Sequence, residues 1–347
     1  MKNRFRVITI LCVLLVSVAI ITVFKHSISQ DKPLSMSANI KEIYIAVMDP
    51  LALENACACV EGFAQREYQV LAEYLKGKLG VEVKLVFDNS IASATENIGK
   101  LPDIVIGKKS VIEYDAGRVG CDIQQIAMLS DAKGETTLRG LFVVKADNQA
   151  ETIADLKGRR IAFGPADSAE KRSAAITRLK KNGIEITGDV IECDACSISA
   201  MKILNDEVDA AVISDYAMAL LIGCKTMEQG ELKVVGETAA MPFVAVYTTE
   251  NIDEVSRKAI LQALLGVSKN DQLLTKLESK NGFIKAKDDG KKRICHVPDK
   301  LPSEVKFLWK RDMASQSLGG ICATSKYVIV SDKSVDGKQD IWRCLDS

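Results

Sequence analysis

Between Thr152 and Ile184 the sequence TIADLKGRRIAFGPADSAEKRSAAITRLKKNGI changes its period once, from strand to helix. Arg160 to Phe163 is a short apolar run bounded by Gly158 and Gly164, the pattern of a buried strand. Gly164-Pro165 ends it, and Asp167 or Ser168 stands where a helix N-cap belongs, with Glu170 spaced from Asp167 for a capping box. Ala175, Ile176 and Leu179 recur at helical spacing, and Gly183 closes the element. A strand, a tight turn and an open helix N-terminus form a place where backbone N–H groups can hold an anion. By local pattern alone the segment is also an ordinary βα unit of a packed α/β domain.

The same alternation runs through the rest of the chain. Glu42–Met48 is an apolar strand ending at Asp49-Pro50, and Tyr68, Leu71, Tyr74, Leu75 and Leu79 form a helical stripe that stops at Gly80. Strands are expected at Val81–Phe87 and Asp103–Ile106, the latter followed by a turn, Gly107-Lys108-Lys109-Ser110. Further on come Asp189–Glu192, a helix over 199–205, the strand Ala210–Ile213 and Ser214-Asp215-Tyr216. Leu232–Val235 and Phe243–Thr248 are further strands, and Ile252–Val267 and Leu273–Leu277 are helices. Strand and helix in alternation give an α/β fold with a parallel sheet, whose ligands bind beyond the carboxyl ends of the strands. Asp49, Lys108, Ser110, Ser214 and Asp215 occupy such ends. Lysines beside a hydroxyl and turn amides suit an oxyanion, although lysines in a turn are also ordinary solvated residues.

A chain of 347 residues exceeds one compact core, so more than one lobe is expected. Its 46 lysines and arginines balance 46 aspartates and glutamates, and its few aromatics form no stripe with basic residues, which argues against nucleic acid as a partner. The only histidines are His26 and His296, and there is no G-x-S-x-G and no P-loop. No nucleophile–base pair emerges, so the expectation is a non-catalytic protein without a cofactor.

Lys2, Arg4 and Arg6 precede an uncharged apolar run, Val7 to Phe24, long enough to span a bilayer as a helix. No small-residue cleavage site follows closely, so residues 1–30 are expected to be an uncleaved signal anchor, with a cleaved signal peptide as the alternative. Residues 31–41 form a linker, and the remainder faces an extracytoplasmic space. In an oxidising space the close pairs Cys57/Cys59 and Cys193/Cys196 are expected in disulfides, Cys193 with Cys196 and Cys57 or Cys59 with partners such as Cys121. The competing expectation is a copper or zinc clamp of four thiolates.

The stretch Thr152–Ile184, with REYQVLAEYLKGKLGVEVKLV upstream and LNDEVDAAVISDYAMALL downstream, resembles the phosphate, phosphite and phosphonate solute-binding proteins of ABC transporters. The likeness covers roughly residues 42–280 and implies a two-lobed periplasmic-binding-protein fold. One lobe is expected from 42–145 plus 245–283 and the other from 146–244, with Leu138–Lys145 and Phe243–Thr248 as the crossing strands. It also implies that the turns at the strand ends line the cleft, which makes Asp49, Lys108, Ser110, Ser168, Lys171, Ser214 and Asp215 the expected ligand residues and an ABC permease the expected partner. In one respect the sequence departs from the family, whose turn after the Arg160–Phe163 strand is rich in Ser and Thr. Here Asp167 and Glu170 add negative charge, which Lys171, Arg172 or a lobe-one lysine has to offset if the ligand is a dianion. An amine-bearing or zwitterionic ligand eases that conflict.

Residues 284–305 read as a second linker. From 306 to 347 strand-sized alternations, Lys306–Lys310, Gly320–Thr324, Tyr327–Ser331 and Asp340–Leu345, resemble the first blade of a pyrroloquinoline-quinone-type β-propeller. One blade cannot close a ring, so either the propeller is truncated here, which is the expectation, or the strands pack on the lobes. The functional expectation is a membrane-anchored solute-binding protein closing on a small oxyanion for uptake or sensing. The alternative is a cysteine-based metal-handling or redox protein with a quinoprotein-like C-terminus.

Overall fold

The computed structural model describes residues 34–56, 65–186, 190–286, 321–323, 327–333 and 340–346. The apolar run Val7–Phe24, the Cys57/Cys59 pair and the strand expected at Lys306–Lys310 lie outside them. No helix among the described residues is long and apolar enough to cross a membrane.

The first segment runs β1 (Glu42–Met48), α1 (Tyr68–Leu79), β2 (Glu82–Phe87), α2 (Ile91–Ile98), β3 (Ile104–Lys108), α3 (Lys109–Val119) and β4 (Ile123–Leu129). A short strand, β5 (Thr137–Leu138), then leads to β6 (Gly140–Lys145), β7 (Ile161–Phe163) and α4 (Ser173–Lys181). After them come β8 (Ile191–Glu192), α5 (Cys196–Leu204), β9 (Ala210–Ser214), α6 (Ala217–Gly223) and β10 (Leu232–Glu237). The return comprises β11 (Met241–Pro242), β12 (Val244–Thr249), α7 (Glu254–Gly266), α8 (Asp271–Lys276) and β13 (Phe283–Lys285). At the end, β14 (Ile321–Ala323), β15 (Tyr327–Lys333) and β16 (Asp340–Asp346) form an antiparallel sheet of their own.

Two mixed sheets organise the molecule. Lobe one has the order β13-β4-β12-β3-β1-β2, and lobe two the order β10-β6-β9-β7-β8. The chain passes between them twice, and β5 and β11 pair antiparallel at the crossing, Met241 opposite Leu138. Both sheets are covered on both faces, and their central strands are accordingly apolar at successive residues, odd positions facing one layer and even positions the other. In β1, Ile43, Ile45 and Val47 face the core formed with Tyr68, Leu71 and Leu75 of α1 and Ile260 and Leu264 of α7. Ala46 and Met48 face Ile91, Ala94 and Ile112 on the other side. In lobe two Ala175 and Leu179 of α4 pack on one face and Ala200, Ile203 and Leu221 on the other. Helix α1 stops where the sequence says, at Gly80, which takes the left-handed φ of 67° and returns its N–H to the Lys76 carbonyl.

Several elements differ from the expectations. Strand β6 lies wholly in the lobe-two sheet, pairing with β9 and β10, so Gly140–Lys145 belongs to lobe two, while Leu138 packs in the lobe-one core. The crossing is made by β5 instead, and in β6 Phe142 and Val144 are buried in one lobe-two core and Val143 in the other. Lys108, Lys109 and Ser110 are not a turn, because β3 runs directly into α3. Helix α4 begins at Ser173 with no side-chain cap, so neither Asp167 nor Ser168 is its N-cap. Residues 165–172 form successive turns instead, in which the Ser168 carbonyl takes the Lys171 and Arg172 amides at 3.0 and 2.9 Å. The capping box falls earlier, at Thr152 and Asp155, so the TIADLKG phrase serves the backbone.

Candidate functional site

The first candidate residue, Asp49, ends β1 and is wholly buried. Its Oδ2 accepts from Arg66 Nη1 at 2.9 Å and from the Tyr68 hydroxyl at 2.6 Å, while Oδ1 takes the Leu51 amide at 3.0 Å. Burial works against the Arg66 charge, yet the Asp49 carboxylate, by its charge and its hydrogen bond, keeps the guanidinium above its ordinary value. Burial, and then the Asp49 charge, hold the Tyr68 hydroxyl protonated. Arg66 also lies over the ring of Phe243, 5.6 Å from its centroid, and Phe243 stacks on Tyr216 at 5.4 Å and 14°. This aromatic pair joins the return crossing of lobe one to the end of β9 in lobe two.

Beside it the lobes meet through charge. Lys108 ends β3 in lobe one, and its Nζ lies 2.6 Å from Glu170 Oε1 and 3.1 Å from Ser168 Oγ in the turn before α4. The Ser214 hydroxyl, at the end of β9, donates to the same Glu170 Oε1 at 2.7 Å. The Lys108 and Glu170 side chains are only 6% and 1% exposed, so this ion pair is shielded from water and little screened by salt. Burial lowers the Lys108 ammonium below its ordinary value, with Glu170 opposing the shift. Glu170 Oε2 is buried and has no hydrogen-bond partner among the described residues. Lys171 is also buried, and among the described residues its ammonium has Cys196 Sγ at 4.0 Å and no carboxylate in ion-pair range. The turn packs this closely because β6 begins with glycine, since any side chain at Gly140 would collide with the Glu170 carbonyl.

Donors from two lobes converging on one acid oxygen, between sheets joined by a double crossing, form the architecture of a binding cleft. Residues 63–290 match the family described as the phosphonate ABC transporter periplasmic substrate-binding protein. The chain belongs to this family. Its fold is similar to a binding-protein component of an ABC phosphonate transporter from Pseudomonas aeruginosa, with a TM-score of 0.54 and 15% identity over 72% of this chain and 83% of that one. It is similar also to PhnD1 from Prochlorococcus marinus in complex with methylphosphonate, at 0.52 and 17% over 71% and 93%. A Xanthomonas citri protein bound to ATP gives 0.53 and 13% over 70% and 90%. At these identities the likeness shows the fold. No curated protein matches the sequence.

Within this periplasmic solute-binding protein the expected residues divide into two groups. Lys108 and Ser214 meet at Glu170, and Ser168 joins them through Lys108; Ser110, on the first turn of α3, accepts the Ala169 amide at 3.4 Å, and Lys171 is part of the same turn. Asp49 and Asp215 do not join them. Asp49 is saturated within lobe one, and Asp215 clips the crossing by accepting the Arg139 amide at 2.9 Å and donating its own amide to the Arg139 carbonyl at 2.9 Å. Lys109 points elsewhere, to Glu113, Gln125 and Tyr247. From the sequence Glu170 is not expected among the ligand residues, and Arg66, Tyr68 and Phe243 are not expected beside the site, Tyr68 standing only as part of a helical stripe and Phe243 as the start of a crossing strand. The one signal for Glu170 was an acid in a turn where the family carries hydroxyls. A separate cavity of about 540 Å³, lined by Arg139, Thr177, Arg178, Lys181, Glu237 and Met241, contains none of the expected ligand residues.

The expected Cys193–Cys196 disulfide is not formed: Cys193 is a buried free thiol of the lobe-two core, and Cys196, at the start of α5 and packed against that core, is a free thiol 4.0 Å from the Lys171 ammonium. Cys121 and Cys224 are likewise free thiols. Among the described residues no group of three or more His, Cys, Asp or Glu could hold a metal ion.

Proposed function

We propose that the protein closes its two lobes on a small phosphorus oxyanion of the phosphonate, phosphite or phosphate class and presents it to an ABC permease for uptake or sensing. The observation that carries this reading is the convergence of Lys108 from lobe one and Ser214 from lobe two on a single anionic oxygen, with the Ser168 hydroxyl oxygen beside it accepting from the same Lys108 ammonium. Hydrogen bonds from an ammonium and hydroxyls to an oxyanion are strong where water is excluded, and they form only when both lobes are in place. Binding of the anion is therefore closure of the cleft. Lys171 supplies a second positive charge at the same turn. The protein has no catalytic role in this reading. Residues 1–30 hold it at the membrane on the extracytoplasmic side, and the β14–β16 sheet belongs to a propeller-like C-terminal segment.

Isothermal titration of the purified full chain with methylphosphonate, 2-aminoethylphosphonate, phosphite and phosphate tests the ligand class. At least one should bind one-to-one with a Kd below about 100 µM, equivalent to about 5.5 kcal/mol. Ser214→Ala should weaken that ligand by roughly tenfold or more, the cost of losing a hydroxyl bond to a charged group. Absence of heat with all four ligands, or an unchanged Kd in the serine variant, would overturn the assignment.

A further inference from the structure

The oxygen that gathers a donor from each lobe belongs to the protein itself. Lys108 Nζ, Ser168 and Ser214 are the groups a bound oxyanion would use, and Glu170 Oε1 engages Lys108 at 2.6 Å and Ser214 at 2.7 Å. We infer that Glu170 is a tethered occupant of the oxyanion position, latching the lobes through Lys108 and competing with the ligand for the same donors. The inference rests on the reading that this cleft takes an oxyanion.

Three observations make the occupant displaceable rather than permanent. Among the described residues Glu170 is held through one oxygen only, since Oε2 is buried without a partner there, and an unmet buried acceptor is costly. A ligand that brings a donor or leaves Oε2 to solvent relieves that cost. Lys171, a residue away, is buried without a carboxylate partner among the described residues, so an arriving anion finds a charge that Glu170 does not satisfy. Arg172 by contrast is committed, with Nη2 at 3.0 Å from Glu192 and Nη1 donating to the Gly164 carbonyl at 3.3 Å. The exchange needs only a side-chain rotation, because the Glu170 backbone is packed against Gly140 and can stay in place. A group on the same chain acts at a high effective concentration, typically millimolar, so it weakens every free oxyanion by a constant factor without changing their order.

The test compares the parent with Glu170→Gln and Glu170→Asp, all as full chains with thermal melts confirming folding. The amide cannot pair with Lys108 as a counter-ion, and the aspartate is a methylene shorter. Glu170→Gln should bind methylphosphonate at least tenfold tighter than the parent, with Glu170→Asp between the two. Small-angle scattering without added ligand should show Glu170→Gln more expanded than the parent, and methylphosphonate should compact it. A Glu170→Gln affinity equal to or weaker than the parent's overturns the competition, since Glu170 would then serve the ligand, and this leaves the oxyanion reading standing. If neither protein binds methylphosphonate, 2-aminoethylphosphonate, phosphite or phosphate, the oxyanion reading fails and the competition with it, while the scattering decides the latch. Expansion on Glu170→Gln then sustains the latch, and identical scattering overturns it.

Discussion

Both oxygens of Asp49 are committed inside lobe one, to Arg66 and Tyr68 through Oδ2 and to the Leu51 amide through Oδ1. A strand-end carboxylate of this kind is structural, and its worth is set by what each substitution leaves unpaired. Asp49→Ala strands a guanidinium that is 2% exposed and should cost about 3–5 kcal/mol, the price of an uncompensated buried charge. Tyr68→Phe removes only one donor and should cost about 1–3 kcal/mol. Urea denaturation of the two variants gives both numbers. An Asp49→Ala loss no larger than that of Tyr68→Phe would show that water reaches Arg66 and that the pair is not buried in solution. Neither substitution should change which ligand is preferred, because neither residue touches the Lys108–Ser168–Ser214 cluster.

At the scale of elements, the strand β3 shows how tightly lobe one is built. Gly107 lies opposite Met48 in the parallel pairing with β1, and a Cβ there would stand 2.6 Å from the Met48 carbonyl carbon and oxygen. Those are backbone atoms of a neighbouring strand, so they cannot give way without breaking the register that delivers Lys108 to the cleft. Gly107→Ala should therefore destabilise by about 1–3 kcal/mol or more and weaken ligand binding too. Gly77 in α1 is the control, since a Cβ there meets nothing within 4 Å. Gly77→Ala should stabilise by roughly 0.5–1 kcal/mol through helix propensity. Thermal melts of the pair should move in opposite directions, and a Gly107→Ala melt that stays with the parent's would show that β1 and β3 are looser than the pairing implies.

For the whole molecule, the order of the lobe-one sheet makes the chain's return indispensable. Strand β12 sits between β3 and β4, so residues from the end of the described lobes hold strands from their beginning. A chain ending at residue 243 loses β12, α7, α8 and β13 together and detaches β4 from the sheet, while every strand of lobe two is retained. Limited proteolysis of that truncation should digest lobe one and leave a resistant fragment spanning about residues 139–237, with ligand binding lost. Protection of residues 42–130 in the truncated chain would mean that lobe one folds without its central strand. The reason to expect otherwise is physical: removing a central strand exposes two unpaired edges and uncovers the face packed by Ile260 and Leu264.

Local periodicity and end signals were enough to locate most elements. Glu42–Met48 is a strand over the residues its apolar run marks, and Tyr68–Leu79 is a helix closed by Gly80, because alternation, helical spacing and a left-handed glycine act within a few residues. The segments α3 and β4 have no counterpart in the sequence reading: α3 buries only Ile112, Asp115 and Ala116, too thin a stripe to stand out. Strand β6 and the site depend on longer reach. Glu170 meets Lys108 across 62 residues and Ser214 across 44, and nothing in the spelling of its turn distinguishes an N-terminal helix acid from a carboxylate aimed across the cleft. That choice is made when the two lobes dock, since only then are Lys108, Ser168 and Ser214 desolvated together and an anion between them becomes cheaper than their separate hydration.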